Sequence, residues 1–420
     1  MPKLFLFEDA AYADLLPLTY WRSVFELRVG RRILLDRIAQ RLGTPISGIW
    51  TRDWIAAVAG ERCSLPVNRP VDADCVLVNG LWPMTAPVTF APAPFIGIGS
   101  DDRVAYIACD AALAKRLTPA VLLDVEATVE LVREFPHGPI NADLLRHPWD
   151  VVHRSAELLR SDWSGVEDAA IIGLVHASTV LVEPRRIHIG DGAIVKPLCV
   201  LDASDGPVYV SDNVIVEPHS VLMGPIYVGV GTLVRPHAVI RGGTSVGPVC
   251  KVGGEIDACV ISGYSNKQHD GFLGHAYVGN WVNIGAGTTN SDLKNTYGAV
   301  RAATPHGEAD TAQMFYGGVI ADHVKLGINQ SIPTGASIGF AATIASSRIV
   351  PKFVPSLAWL TDAGITVGDT ERLIATAQKV MSRRHTALSE AEIKLFHHIA
   401  GSAQQIEIGA RGMGPSERRG

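Results

Sequence analysis

Between residues 263 and 292 the chain reads GYSNKQHDGFLGHAYVGNWVNIGAGTTNSD, which places His269 and His275 ahead of the amide of Asn283 and a glycine-rich turn around Ala286. An imidazole with an ordinary pKa near ~6.5 can take a proton from an amine at neutral pH. Backbone N–H groups of a glycine-rich turn can hold a developing oxyanion. Together these groups suit acyl transfer to an amine, with a histidine of the stretch as general base. Upstream, Arg235 in VRPHAVI offers a planar fork that donates two parallel hydrogen bonds to a phosphate. Lys267 and Lys294 add positive charge from the same segment. For His275, His219 and His237 the preferred reading is a solvated surface histidine. His219 and His237 lie eighteen residues apart, a spacing that would stack them. No metal is assigned, because no histidine pair five residues apart lies in this region to start a zinc site.

Such residues need a rigid frame, and the sequence supplies a periodic one. From about Val175 to about Val350 an aliphatic residue recurs every six positions, as at Val210, Val216, Leu222, Val228, Val234, Ile240, Val246 and Val252, and again from Ile320 to Ile344. Four positions after many of them stands a small or β-branched residue, such as Ala193, Thr232, Ala238 or Ala342. A period of six is neither helical nor a two-residue alternation. It fits a prism of three short strands, about eighteen residues per coil, and predicts a left-handed parallel β-helix of hexapeptide repeats over 170–350. The beat lapses over roughly 253–277 and 290–317, where loops are expected to leave the prism.

Residues 1–165 read as an α/β domain, with KLFLF, PISGIW and CVLVNG as buried strands and SVFELRVGRRILLDRIAQRL as a helix-bearing stretch. Residues 351–420 read as a helical tail. In it Ser389 and Glu392 form a capping box before a helix ending near Gly401, and the last dozen residues are expected to be disordered. The net charge of −5, with 19% charged residues, provides no basic stripe for nucleic acid or an anionic membrane. Six scattered cysteines, without a C-x-x-C pair, and the lack of a long apolar run predict a reduced, cytoplasmic protein.

The segment KQHDGFLGHAYVGNWVNIGAGT resembles K-A-G-H-x-x-Y-x-G-D-x-x-I-G-x-x-V-N-I-G-A-G-T of the bifunctional GlmU enzymes, which make UDP-N-acetylglucosamine. The resemblance implies a prism that acetylates glucosamine-1-phosphate from acetyl-CoA, a head that transfers UMP, and a homotrimer. It places His269 on the family's catalytic histidine, Asn283 on a substrate-binding asparagine, Arg235 on the arginine that grips the sugar phosphate, and Ala286 beside the pantetheine arm. Phe272 replaces the family's tyrosine, and Gly253, Gly254 and Glu255 stand where its upstream lysine falls, so either Lys267 or Lys294 supplies that charge or the acceptor is not glucosamine-1-phosphate.

In the head, LLPLTYWRSVFELRVGRRILLDRI is similar to the sugar-nucleotidyltransferase stretch L-x-P-L-T-x-x-R-P-K-P-L-L-P-V-x-G-x-P-L-L. Val24 replaces its lysine, EDAAYADL replaces its glycine-rich turn, and Leu81 stands at the aspartate that would hold Mg²⁺. Arg22, Glu26 and Arg28 are the candidate nucleotide-binding residues, with Asp9, or Asp72 with Asp74, as Mg²⁺ ligands. The same charges would serve equally as a salt bridge within a retained fold. The leading reading is an acetyl-CoA-dependent N-acyltransferase for an amino sugar phosphate, with a sugar-1-phosphate nucleotidyltransferase-like head. Its alternatives are a non-catalytic, oligomeric scaffold that senses a sugar nucleotide and a metal-dependent hydratase on the same prism.

Overall fold

The computed structural model describes residues 2–165 and 168–409. The tail expected to be disordered lies outside the described residues. Contacts divide the chain into Met1–His147 and Pro148–Gly420, so the helix Pro148–Ser161 goes with the second unit.

The first unit is built on a six-stranded sheet of β1 (Lys3–Phe7), β2 (Ile46–Trp50), β3 (Cys75–Asn79), β4 (Phe95–Ile98), β5 (Val104–Cys109) and β6 (His137–Pro139), in the order β2-β1-β3-β5-β4-β6. β1 runs parallel to both β2 and β3, while β5 runs antiparallel to β3. Every residue of β3 and β5 is buried, as continuous apolar runs in a central position require. The stretch expected to bear a helix does so only over Leu34–Leu42. Before it, the Ser23–Glu26 capping box closes one short turn, and Gly30, at φ 52°, takes the left-handed turn of a small hairpin.

The second unit is a parallel β-solenoid with three faces. Val216, Val234 and Val252 stack in register at eighteen-residue intervals, and the inward aliphatic residues form one continuous core. The coil also runs straight through 253–277, where a loop was expected. Val252 pairs in register with Lys267, fifteen residues on, so the coil is shortened and the hexad beat vanishes while the pairing persists. Ile256, Ile261 and Leu273 fill the core there. The second lapse is a true excursion. After Thr289–Asn290 the chain forms the antiparallel hairpin Arg301–Thr304 with Gly307–Asp310, then re-enters at Gly318–Ile320 beside Ala276–Asn280.

The region expected as a helical tail from 351 begins as solenoid instead: Phe353–Val354 and Ala358–Thr361 pair in parallel with solenoid strands, Gly364–Val367 folds back on the latter, and only then do helices Thr370–Ser382 and Glu390–Gly409 follow. The capping box is present: Ser389 N–H donates to Glu392 Oε2 and Glu392 N–H to Ser389 Oγ, both at 3.1 Å. The helix passes Gly401 by two turns. A side chain at Gly401 would meet open space, so this glycine does not mark the helix end, and buried Glu407 anchors the last turns by accepting from Ser356 N–H at 2.8 Å and from Ser356 Oγ at 2.7 Å.

Candidate functional site

His269 stands on an exposed corner of the solenoid, just after the strand Asn266–Lys267. Asn266 is in register with Asn283 one coil on, and Gly287 N–H donates to Asp270 O at 3.3 Å, which sets His269 beside Ala286. The glycine turn offers fewer free amides than its sequence suggests. Gly285 N–H donates to Leu326 O at 3.0 Å and Gly287 N–H is engaged as above, which leaves Ala286 N–H as the amide that the coil ladder does not use. Asn283 is exposed and accepts from Asn266 Nδ2 at 3.4 Å.

Lys267 requires a correction. It faces the interior of the prism, 2% exposed, at a position its neighbours fill with aliphatic residues. Its ammonium donates to Gly253 O at 3.2 Å, His269 O at 2.6 Å and Asp270 O at 3.0 Å. It therefore clamps the corner that carries His269 and does not reach a ligand. Burial pushes its pKa down to about 8, with Asp270 opposing. Because the folded protein binds this proton less tightly than the unfolded chain, folding stability gains with pH between about 8 and the ordinary lysine range. Lys267→Met removes that gain. In urea unfolding the stability of the parent relative to the variant should rise by up to about 3 kcal/mol between pH 7 and pH 10, and a pH-independent difference would contradict the assignment.

Arg235 pairs with Glu217 at 2.9 Å on the face below His269. A Cβ at Gly253 would sit 2.9 Å from Arg235 Cβ and 2.8 Å from Gln268 O, so no side chain fits between them. Arg235 thus lies about 10 Å, or two strand spacings, below the His269 corner. Glu255 is neutralised by Arg241 at 2.8 Å, and Phe272 lies beside it in register with its ring over Gly274. Lys294 donates to Ala299 O at 3.0 Å, bracing the excursion. His219 and His237 do stack, with centroids 4.9 Å apart and planes 4° from parallel. His275 is paired with Asp292 at 2.8 Å and stacked on Phe315, which ties the excursion to the coil. Lys251, Asn266 and Arg384 also belong to this face. The sequence reading passed over them, because no hexad or motif position marks an outward residue.

In the head, Arg22, Glu26 and Arg28 are buried. Glu26 accepts from Ser23 N–H at 2.7 Å and pairs with Arg62 at 3.5 Å, Arg22 O accepts from Arg52, and Arg28 donates to Arg31 O at 3.0 Å. None of the three lines the head's cavity, so they brace the fold. That cavity, about 680 Å³, opens at the carboxyl end of β1, where α/β sheets commonly bind ligands. Its lining includes the polar Asp9, Asp101 and Arg103 and the apolar Val125, Val129 and Val132. Asp9 accepts from Asn79 Nδ2 at 2.8 Å and faces Arg103 at 3.5 Å, and burial nevertheless raises its pKa. Asp72 and Asp74 lie at the opposite end of the strands, with Asp72 beside Lys3 at 3.9 Å. The Mg²⁺ implied by the resemblance does not fit: Leu81 is fully buried, Asp9 is already engaged, and the described residues contain no cluster of three metal-ligating side chains.

No curated protein matches the chain. Among solved structures, the UDP-N-acetylglucosamine acyltransferase of Francisella novicida is 18% identical over 54% of this chain and 75% of its own, with a TM-score of 0.25. The Arabidopsis UDP-N-acetylglucosamine acyltransferase is 15% identical over 59% and 98%, with a TM-score of 0.24. The acetyltransferase domain of PglB from Neisseria gonorrhoeae, in complex with acetyl coenzyme A, is 11% identical over 81% and 97%, with a TM-score of 0.14. At the level of sequence families, residues 4–170 match the sugar nucleotidyl transferase model.

Proposed function

We propose that the chain is an acetyl-CoA-dependent N-acyltransferase whose acceptor is an amino sugar phosphate of the glucosamine-1-phosphate type, acting as a homotrimer. The observation that carries this reading is the corner itself: an exposed imidazole at His269, the Ala286 amide beside it, the Asn283 amide one coil on, and Arg235 two coils below. The acceptor amine attacks the thioester carbonyl while His269 takes its proton, and the oxyanion forms against Ala286 N–H. Collapse forms the amide, breaks the C–S bond and returns the proton from His269 to the departing thiolate. The head contributes a sugar nucleotide or sugar phosphate site in its 680 Å³ cavity, with no step assigned to Mg²⁺. Thiol release from acetyl-CoA, followed across amino sugar phosphates and nucleotide-linked amino sugars, tests the reading. Release that depends on the amine supports it, and release with none of them refutes it. Light scattering reads the assembly, and a monomer at micromolar concentration would overturn the trimer.

A further inference from the structure

One outward row of the solenoid changes character along its length. Leu174, Ile194, Ile215 and Leu233 stack in register as an aliphatic ridge, and the row then continues as Lys251, Asn266, Asn283 and Lys325. Lys325 turns aside, donating to Trp281 O at 2.6 Å and His323 O at 3.0 Å. The polar stretch that remains receives a residue from far along the chain. Just after the helix Thr370–Ser382, Arg384 donates from Nη2 to Asn266 Oδ1 at 3.1 Å, and Asn266 in turn donates to Asn283. A cation at a helix C-terminus usually serves the last carbonyls. Here the guanidinium reaches across to the solenoid, while Arg384 N–H closes the turn on Met381 O at 2.8 Å.

The charges gathered there are unbalanced. Arg235, Lys251, Arg383 and Arg384 are close enough for all three arginines to act on the Lys251 ammonium, whose pKa is lowered first by burial and then by Arg384, Arg235 and Arg383. Glu217 answers Arg235 at 2.9 Å and Lys196 at 3.8 Å. Among the described residues, no carboxylate pairs with Lys251, Arg383 or Arg384. Like charges held together beside two side-chain amides, with one acid for the group, make a cradle for a compact dianion with several acceptor oxygens.

We propose that Lys251 and Arg384, together with Arg235, form a phosphate-ester site to which the C-terminal segment supplies one of the cations. The inference rests on the acyltransferase reading, and Gly253 itself can add no cation to the cradle, since a side chain there would strike Arg235 and Gln268. The phosphate comes either from the acceptor or from the coenzyme, and binding separates the two. Calorimetry on the full chain with inorganic phosphate, glucosamine-1-phosphate and coenzyme A should show binding weakened about tenfold in Arg384→Gln and in Lys251→Met. Arg384→Lys should regain part of it, and binding should weaken with salt. Loss confined to glucosamine-1-phosphate and phosphate assigns the cradle to the acceptor, and loss confined to coenzyme A assigns it to the donor. Parental affinity for all three probes in both variants overturns the site, as does a parent that binds none of them at millimolar concentration. His269→Ala separates the two ideas, since it should slow turnover about 10²- to 10⁴-fold and leave these affinities unchanged. A cradle that binds phosphate in a protein with no acyl transfer would sink the function and spare the site.

Discussion

His269→Ala should lower the rate of acyl transfer about 10²- to 10⁴-fold, equivalent to roughly 3 to 5 kcal/mol of transition-state stabilisation, with little change in fold or in acetyl-CoA affinity. The position explains the selectivity. His269 is exposed on a corner, its ring is absent from the solenoid core, and its backbone carbonyl accepts a hydrogen bond from Lys267 Nζ. Removing the imidazole leaves that clamp, the Asn266–Asn283 register and the glycine turn in place. Arg235→Ala should act differently, mainly raising the acceptor's KM through a lost charge-assisted contact. Rates at saturating and limiting acceptor separate the two. A His269→Ala protein with parental turnover would leave this corner a structural turn.

The second large effect is expected in the head. Glu8, at the end of β1, is 1% exposed and pairs with Arg52 Nε at 3.2 Å. Its carboxylate also accepts from Val24 N–H at 2.8 Å, from Arg52 N–H at 3.1 Å and from the Thr51 hydroxyl. The Arg52 guanidinium lies 4.1 Å from the Tyr12 ring and 4.3 Å from the Trp54 ring. Arg52→Met strands a buried carboxylate and should cost about 3 to 5 kcal/mol of stability. Glu8→Gln in the same chain should recover a large part, because the uncompensated charge is then gone. Urea unfolding of the single and double variants reads this, and a single variant within 1 kcal/mol of the parent, about the size of a surface effect, would show that the pair is not held as described.

Much of this was legible in the sequence where a pattern repeats. The hexad beat announced the solenoid because each inward residue meets the same neighbours one coil away, as Val216, Val234 and Val252 do. Strand β3 was readable as an unbroken apolar run. The same reasoning failed where register survives without period. Shortening one coil to fifteen residues hid the strand Asn266–Lys267 and made Lys267 look like a loop cation, although it lies inside the prism. Arg22, Glu26 and Arg28 carry charges that a motif invites one to aim at a ligand, whereas all three are buried, with Glu26 accepting from Ser23 N–H and pairing with Arg62 and Arg28 donating to Arg31 O. The link between Arg384 and Asn266 joins positions 118 residues apart, and no local signal encodes it. His269 was picked out in the sequence only through the resemblance around the NIGAG turn; its place beside Ala286 comes from the register of Asn266 with Asn283, which no local pattern encodes.

The most direct test is the product itself. The full chain incubated with acetyl-CoA and glucosamine-1-phosphate, beside His269→Ala under the same conditions, is analysed by mass spectrometry and by fragmentation that locates the new group. The account predicts one acetyl group on the amine nitrogen, formed in step with free coenzyme A by the parent and at least 10²-fold more slowly by the variant. An unmodified amine with this and related amino sugar phosphates, or equal product from both proteins, would contradict it.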